Sequence, residues 1–161
     1  MPSSPDPASF DHRHFLPDAT LAEWATIEGY CDEHHFEPGQ TLFVPGGQPR
    51  LLEERSLVFL HSGVVTLGLF DREDRFPLAA PAVLGRGVFF AGELLFYRGI
   101  EAAEACDALV LSTPSFRRLA TEHPALAVPL LMEMGCEMAL TLVTQVQGPR
   151  AGRPAVPPEA A

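Results

Sequence analysis

Residues 56–70 read SLVFLHSGVVTLGLF, two apolar runs of strand length parted by Ser62-Gly63. Short runs of Val, Leu and Phe bounded by turn residues predict β-strands, and the Ser-Gly pair marks the chain reversal between them. The same punctuation extends in both directions. From Cys31 to about Ser112 the chain carries TLFV, PLAAPAVL, VFF and ALVLS, broken by Pro38-Gly39, Pro45-Gly46-Gly47 and the charged run Asp71-Arg72-Glu73-Asp74-Arg75. Turn signals every ~8–15 residues fit a two-sheet roll better than an open twisted sheet. The predicted fold is mainly β with flanking helices: an antiparallel double-stranded β-helix (jelly roll) with an N-terminal helix and a long C-terminal helix.

The helices are read from caps and breakers. Thr20-Leu21-Ala22-Glu23 has the form of a capping box, with Leu21, Trp24 and Ile27 at helical spacing, so a short helix should run to about Gly29. After the strands, Thr113-Pro114 predicts a helix start, with Thr as the cap, and His123-Pro124 its end. A longer helix should follow from near Pro129 to about Gln147, because proline inside a helix costs about 3 kcal/mol. Its apolar residues go almost all the way round: Leu131, Met134, Met138 and Leu142 form one stripe, and Leu130, Val143 and Val146 lie broadly on another. A helix apolar on every side needs two partners. The β-roll supplies one, and the same helix of a second copy is the expected other, giving a homodimer through residues 128–147; packing of both stripes inside one monomer is the alternative.

Composition sets the outer bounds. At 161 residues, 47% of them hydrophobic, the chain has room for one domain, expected over residues 11–147 between a Pro- and Ser-rich tail (1–10) and a Pro/Ala-rich tail (148–161). Acidic residues number 21 against 11 basic ones, all Arg, for a formal net charge of −10. A surface of that sign repels phosphate backbones, so no direct nucleic-acid partner is expected. Cys31, Cys106 and Cys136 are odd in number and form no CxxC, and Met1-Pro2-Ser3-Ser4-Pro5-Asp6-Pro7 has neither a basic start nor an apolar run. The expectation is reduced thiols in a cytoplasmic protein. Glu133 and Glu137 in the stretch from Ala125 to Val146 argue against a membrane span.

Four segments in this order carry a resemblance. Phe36-Glu37-Pro38-Gly39-Gln40-Thr41-Leu42-Phe43 precedes Gly46-Gly47, then comes Leu60-His61-Ser62-Gly63-Val64-Val65, then Leu84-Gly85-Arg86-Gly87-Val88-Phe89-Phe90-Ala91-Gly92-Glu93-Leu94. Over about residues 14–147 the chain resembles the cyclic nucleotide-binding domain of catabolite-activator-type regulators, cyclic-nucleotide-dependent kinases and cyclic-nucleotide-gated channels. The resemblance implies a non-enzymatic regulatory domain with no cofactor and with a cyclic nucleotide such as cyclic AMP as ligand. In that family a short helix offers backbone N–H groups to the cyclic phosphate, a Glu before it accepts from the ribose 2′-hydroxyl, and a later Arg pairs with the phosphate. Gly92, Glu93 and Leu94 match the first part. The Arg and its following hydroxyl residue have no match in register. Arg98 is the candidate stand-in, folding back from a helix, while Glu101 and Glu104 bring repelling charge. A missing charge-assisted contact costs about 1.5–3 kcal/mol, roughly one to two decades of affinity. The ligand-binding candidates are therefore Gly92, Glu93, Leu94 and Arg98.

Two other functions compete. A degenerate member without ligand would act as a dimeric scaffold or as a module for a protein partner. A cupin-like metalloenzyme would need two or three inward His with a carboxylate, and the β region past its first strand offers only His61. In Cys31-Asp32-Glu33-His34-His35 alternate residues face opposite ways, so at most Glu33 and His35 converge, and a solvated strand edge is expected rather than a metal site. Three cysteines fall short of the four thiolates of an iron–sulfur cluster. The family's transcription factors carry a helix-turn-helix module after the long helix, whereas here a Pro-rich tail follows Gln147; a domain without that module is expected.

Overall fold

The structure, a computed structural model, describes residues 10–43, 55–69, 74–91 and 97–146. A single 3₁₀ turn (His12–His14) leads to α1 (Leu21–Glu28), and β1 (Asp32–Phe36) and β2 (Thr41–Phe43) follow. Next come β3 (Ser56–Ser62), β4 (Val64–Leu69), β5 (Arg75–Ala79), β6 (Ala82–Leu84), α2 (Arg86–Ala91), β7 (Tyr97–Ala102) and β8 (Cys106–Ser112). The chain then enters α3 (Thr113–Glu122) and α4 (Pro124–Val146).

The strands form two four-stranded antiparallel sheets, in the orders β1-β8-β3-β6 and β2-β7-β4-β5. Successive strands mostly alternate between the sheets, which is the winding of a jelly roll. Phe36, Leu42, Val58, Leu60, Leu67 and Ile100 meet between the two sheets as one core. Leu57, Phe59, Val83, Leu109 and Leu111 point out of the other face of the first sheet and are covered by the N-terminal segment, α1, α3 and α4. That double burial explains the lack of polar alternation in β3 and β8, whereas a strand with one wet face must alternate. Edge strand β5, with Leu78 buried, Phe76 half-buried and Arg75, Pro77 and Ala79 exposed, does alternate.

Several local predictions hold. Both halves of the Thr20–Glu23 capping box form, and Trp24 and Ile27 are buried. Asp32–Phe36 is an edge strand paired with β8 and largely exposed, as a charged edge should be. Others are corrected. VFF belongs to α2 rather than to a strand, because Gly85 turns the chain at φ +83 and sends Val88 into one core and Phe89 into the other. PLAAPAVL divides into β5 and β6, which lie in different sheets. The α3 cap is Ser112, whose Oγ accepts from the Ser115 N–H, while the Thr113 Oγ1 donates to the Arg55 carbonyl. The last helix begins at Pro124, with Pro129 inside it. One helical hydrogen bond is lost there, and burial of Ala127 and Leu130 on either side offsets it.

The faces of α4 also differ from expectation. Leu130 and Met134, placed on different stripes by sequence, are both fully buried in the sheet-facing core, with Leu131 packed against it and Met138 half-buried. The opposite face, exposed in the monomer, carries Val128, Met132, Cys136, Leu140 and Val143. Side chains of Leu142 and Val146, and both predicted tails apart from Phe10, lie outside the described residues. No described helix is long and apolar enough to cross a membrane.

Candidate functional site

The described part of the candidate site is α2 and its setting. A Cβ at Gly85 would come within 2.7 Å of Phe43 and 2.8 Å of the Ser56 carbonyl, so the turn that launches α2 fits glycine alone. The Phe89 N–H donates to the Gly85 carbonyl at 2.8 Å. Phe89 stands edge-on to Phe116 of α3, and Val88 seals the roll between the sheets. The helix thus caps the roll while touching the helical layer, and its end at Ala91 immediately precedes Gly92.

Gly92, Glu93 and Leu94 lie outside the described residues, as do Gly46 and Gly47. Arg98 is not helical: its backbone belongs to β7, at a register shift where Tyr97 faces Leu69 and Gly99 faces Gly68. The pull of β4 pairing at Tyr97 and from Gly99 to Ala102, on both sides of Arg98, outweighs any local helical tendency, and the Gly at 99 disfavours a helix as well. Glu101 also departs from expectation. Ile100 and Ala102 point into the roll, so Glu101 points outward, where its carboxylate lies 3.5 Å from Arg75. Its charge therefore faces the outer surface and does not oppose an anion inside the roll.

Arg86, the first residue of α2, is the one cation whose side chain is nearly enclosed, at 11% exposure among the described ion pairs. Its Nη2 lies 3.3 Å from the Glu137 carboxylate of α4, and its guanidinium sits 5.7 Å over the Phe15 ring. Nothing in sequence spacing joins positions 15, 86 and 137. Only the fold brings them together.

A second polar cluster lies at the far end of the first sheet. His35 Nδ1 is 2.6 Å from Asp107 Oδ1, and the Ser62 Oγ donates to Asp107 Oδ2 at 2.8 Å while accepting from the Asp107 N–H. Glu37 lies 3.3 Å from the other His35 nitrogen. The hydrogen bond to Asp107 raises the His35 pKa above 6.5, and that of Asp107 is lowered by His35 first and Ser62 second. This arrangement joins three strands, β1, β8 and β3, and the carboxylate, not the histidine, holds the serine, so it is no nucleophilic triad. The sign of its pH dependence follows from linkage. The His35 share of stability is fully present below about pH 6.5 and fades as pH rises through the raised folded value; the Asp107 share is present above about pH 3.8 and fades as pH falls through its lowered value. His35→Gln should therefore lower the melting temperature near pH 5.5 and lose that effect at alkaline pH. Equal shifts at both pH values would show that the ion pair contributes nothing.

No group of three metal-ligating side chains occurs among the described residues. Burial pushes the Cys31 thiol up to about 12 and raises that of Cys106, so neither is a ready thiolate.

Comparison with solved structures fixes the fold class. A cyclic nucleotide-binding domain from Methylobacillus flagellatus KT superposes with a TM-score of 0.65 at 16% identity, covering 86% of this chain and 78% of that one. The N-terminal domain of a transcriptional regulator from Streptomyces coelicolor A3(2) gives 0.64 at 18% identity, over 86% of this chain and 95% of that one. The Thermus thermophilus catabolite activator protein gives 0.62 at 15% identity, over 83% of this chain and 61% of that one. No protein-family model and no curated protein matches the sequence. The roll is of the cyclic nucleotide-binding-domain type.

Proposed function

We propose that this chain is a non-enzymatic, cytoplasmic regulatory domain that senses a small cyclic-nucleotide-like ligand and signals through its terminal helix. The observation that carries this reading is the placement of α2: in a roll of this type it caps the barrel and leads directly into Gly92-Glu93-Leu94. Glu93 is assigned to the ligand's sugar hydroxyl, the backbone after it to the phosphate, and Arg98 to a weak supplementary charge contact. The outward turn of Glu101 supports the assignment by removing one source of repulsion.

The exposed stripe Val128, Met132, Cys136, Leu140 and Val143 supports a homodimer through α4. It carries no charged residue, and it lies opposite the face buried by Leu130 and Met134. A second copy, offering the same apolar stripe about a two-fold axis, is its self-complementary partner. A protein partner read out by that helix pair is part of the proposal.

The alternative, a scaffold that has lost its ligand, is favoured by one observation: Arg86, the enclosed cation next to the candidate site, is engaged by Glu137. Thermal melts with 1 mM cyclic AMP or cyclic GMP separate the two. At a free ligand about 100-fold above its dissociation constant the gain is about 2.7 kcal/mol, an easily read rise in melting temperature. Absence of any shift with either nucleotide, with Glu93→Gln behaving identically, would leave the scaffold.

A further inference from the structure

The exposed face of α4 carries two sulfur donors in succession. Met132 and Cys136 are four residues apart, so they stand one above the other on the same side of the helix, with Cβ atoms about 5–6 Å apart. Both are exposed. Their neighbours along the stripe, Val128, Leu140 and Val143, bind no metal, and the two charged residues of the helix, Glu133 and Glu137, stand about 100° round from the sulfurs. Glu137 is moreover turned to Arg86. Cys136 also differs from the other two thiols, since Cys106 is buried and burial keeps Cys31 protonated at neutral pH. A thioether and an accessible thiol, with no nitrogen or carboxylate beside them, form a donor set for a soft cation, copper(I) above all. Zinc draws its ligands from Cys, His and carboxylates, and calcium and magnesium theirs from oxygen, so none of these uses the methionine.

We propose that Met132 and Cys136 form half of a copper(I) site, completed by the same pair from a second copy of the chain. The inference rests on the α4 seam of the proposed function. A two-fold axis along that seam sets equal positions of the two helices against each other, so two thioethers and two thiolates converge on one point between them. Each thiol loses its proton to solvent as the metal binds, while copper stays in the +1 state and no electron moves. The three rotatable bonds of Met132 let its sulfur settle on the ion. One chain supplies only two of the four donors, so copper binding and the pairing of copies reinforce each other.

Titration of the reduced full chain with copper(I) under argon, against the coloured competitor bicinchoninate, tests it. The expected result is one copper per two chains, and sedimentation at low micromolar concentration should show the metal shifting the chain further toward dimer. Cys136→Ser should abolish uptake. Met132→Leu keeps the stripe apolar and should weaken uptake by at least about ten-fold, the loss that even an outer partner of a metal ligand causes. A metal-free dimer that takes no copper from bicinchoninate would overturn the site and leave the α4 seam standing. A chain that stays monomeric with and without copper would overturn seam and site together. Equal uptake by Met132→Leu, or zinc(II) held as tightly as copper(I), would overturn the assignment of the sulfur pair.

Discussion

Gly63→Val is expected to abolish cooperative folding or to cost about 4 kcal/mol or more. Gly63 has φ +89, a region in which an L-residue is disfavoured by about 1–2 kcal/mol and a β-branched one by more. Space is the larger obstacle. A Cβ would lie 2.4 Å from the Ala105 carbonyl oxygen, 2.6 Å from the Cys106 Sγ and 2.9 Å from the Cys106 Cα. Two of those atoms are backbone, at the entry to β8, the strand that holds both β1 and β3 in the first sheet. Relief of the clash would move β8 and pull Asp107 away from Ser62 and His35. Gly39→Ala is the control: it shares a positive φ of +84, but its Cβ meets nothing within 4 Å, so only the backbone cost of about 1–2 kcal/mol applies. Urea denaturation followed by Trp24 fluorescence should separate the two widely. Similar midpoints for Gly39→Ala and Gly63→Ala would refute the steric argument.

The same residue shows why much of the fold was legible from sequence. A glycine between SLVFL and VVTLGLF marks a reversal whose backbone few other residues adopt, and strands flanking it need no distant information to be recognised. The Thr20–Glu23 box is equally local, since its two hydrogen bonds close within four residues. Legibility fails where partners come from afar. Val88-Phe89-Phe90 has the composition of a strand, and it is helical because Val88 and Phe89 drop into two separate cores that no window of sequence displays. Local sequence suggests a helix at Arg98 because it does not display the β4 pairing on either side of that residue. The link of Arg86 to Glu137 joins two elements far apart in the chain and leaves no periodic trace.

The faces of α4 give the sharpest contrast, because Met132 and Met134 are two residues apart on the same helix and should respond oppositely to the same change. Met134 has no exposed surface and packs in the core that holds Leu119 and Leu130. Met134→Glu removes a buried side chain and leaves an unpaired carboxylate in its place, which together should cost more than about 4 kcal/mol and unfold the domain. Burial raises the pKa of such a carboxyl, so stability should partly return as pH falls below that raised value and the group becomes neutral. Met132, at 64% exposure, has no such seat. Met132→Glu should leave the stability of the isolated chain within about 0.5 kcal/mol of its original value. In a two-fold helix pair it sets two like charges in an apolar seam, and sedimentation equilibrium should show the dimer replaced by folded monomer. A folded Met132→Glu variant that stays dimeric, or a parent protein that is monomeric at high micromolar concentration, would remove α4 as the interface. Retention of the fold by Met134→Glu would instead mean that the inner face of the helix is not seated on the roll.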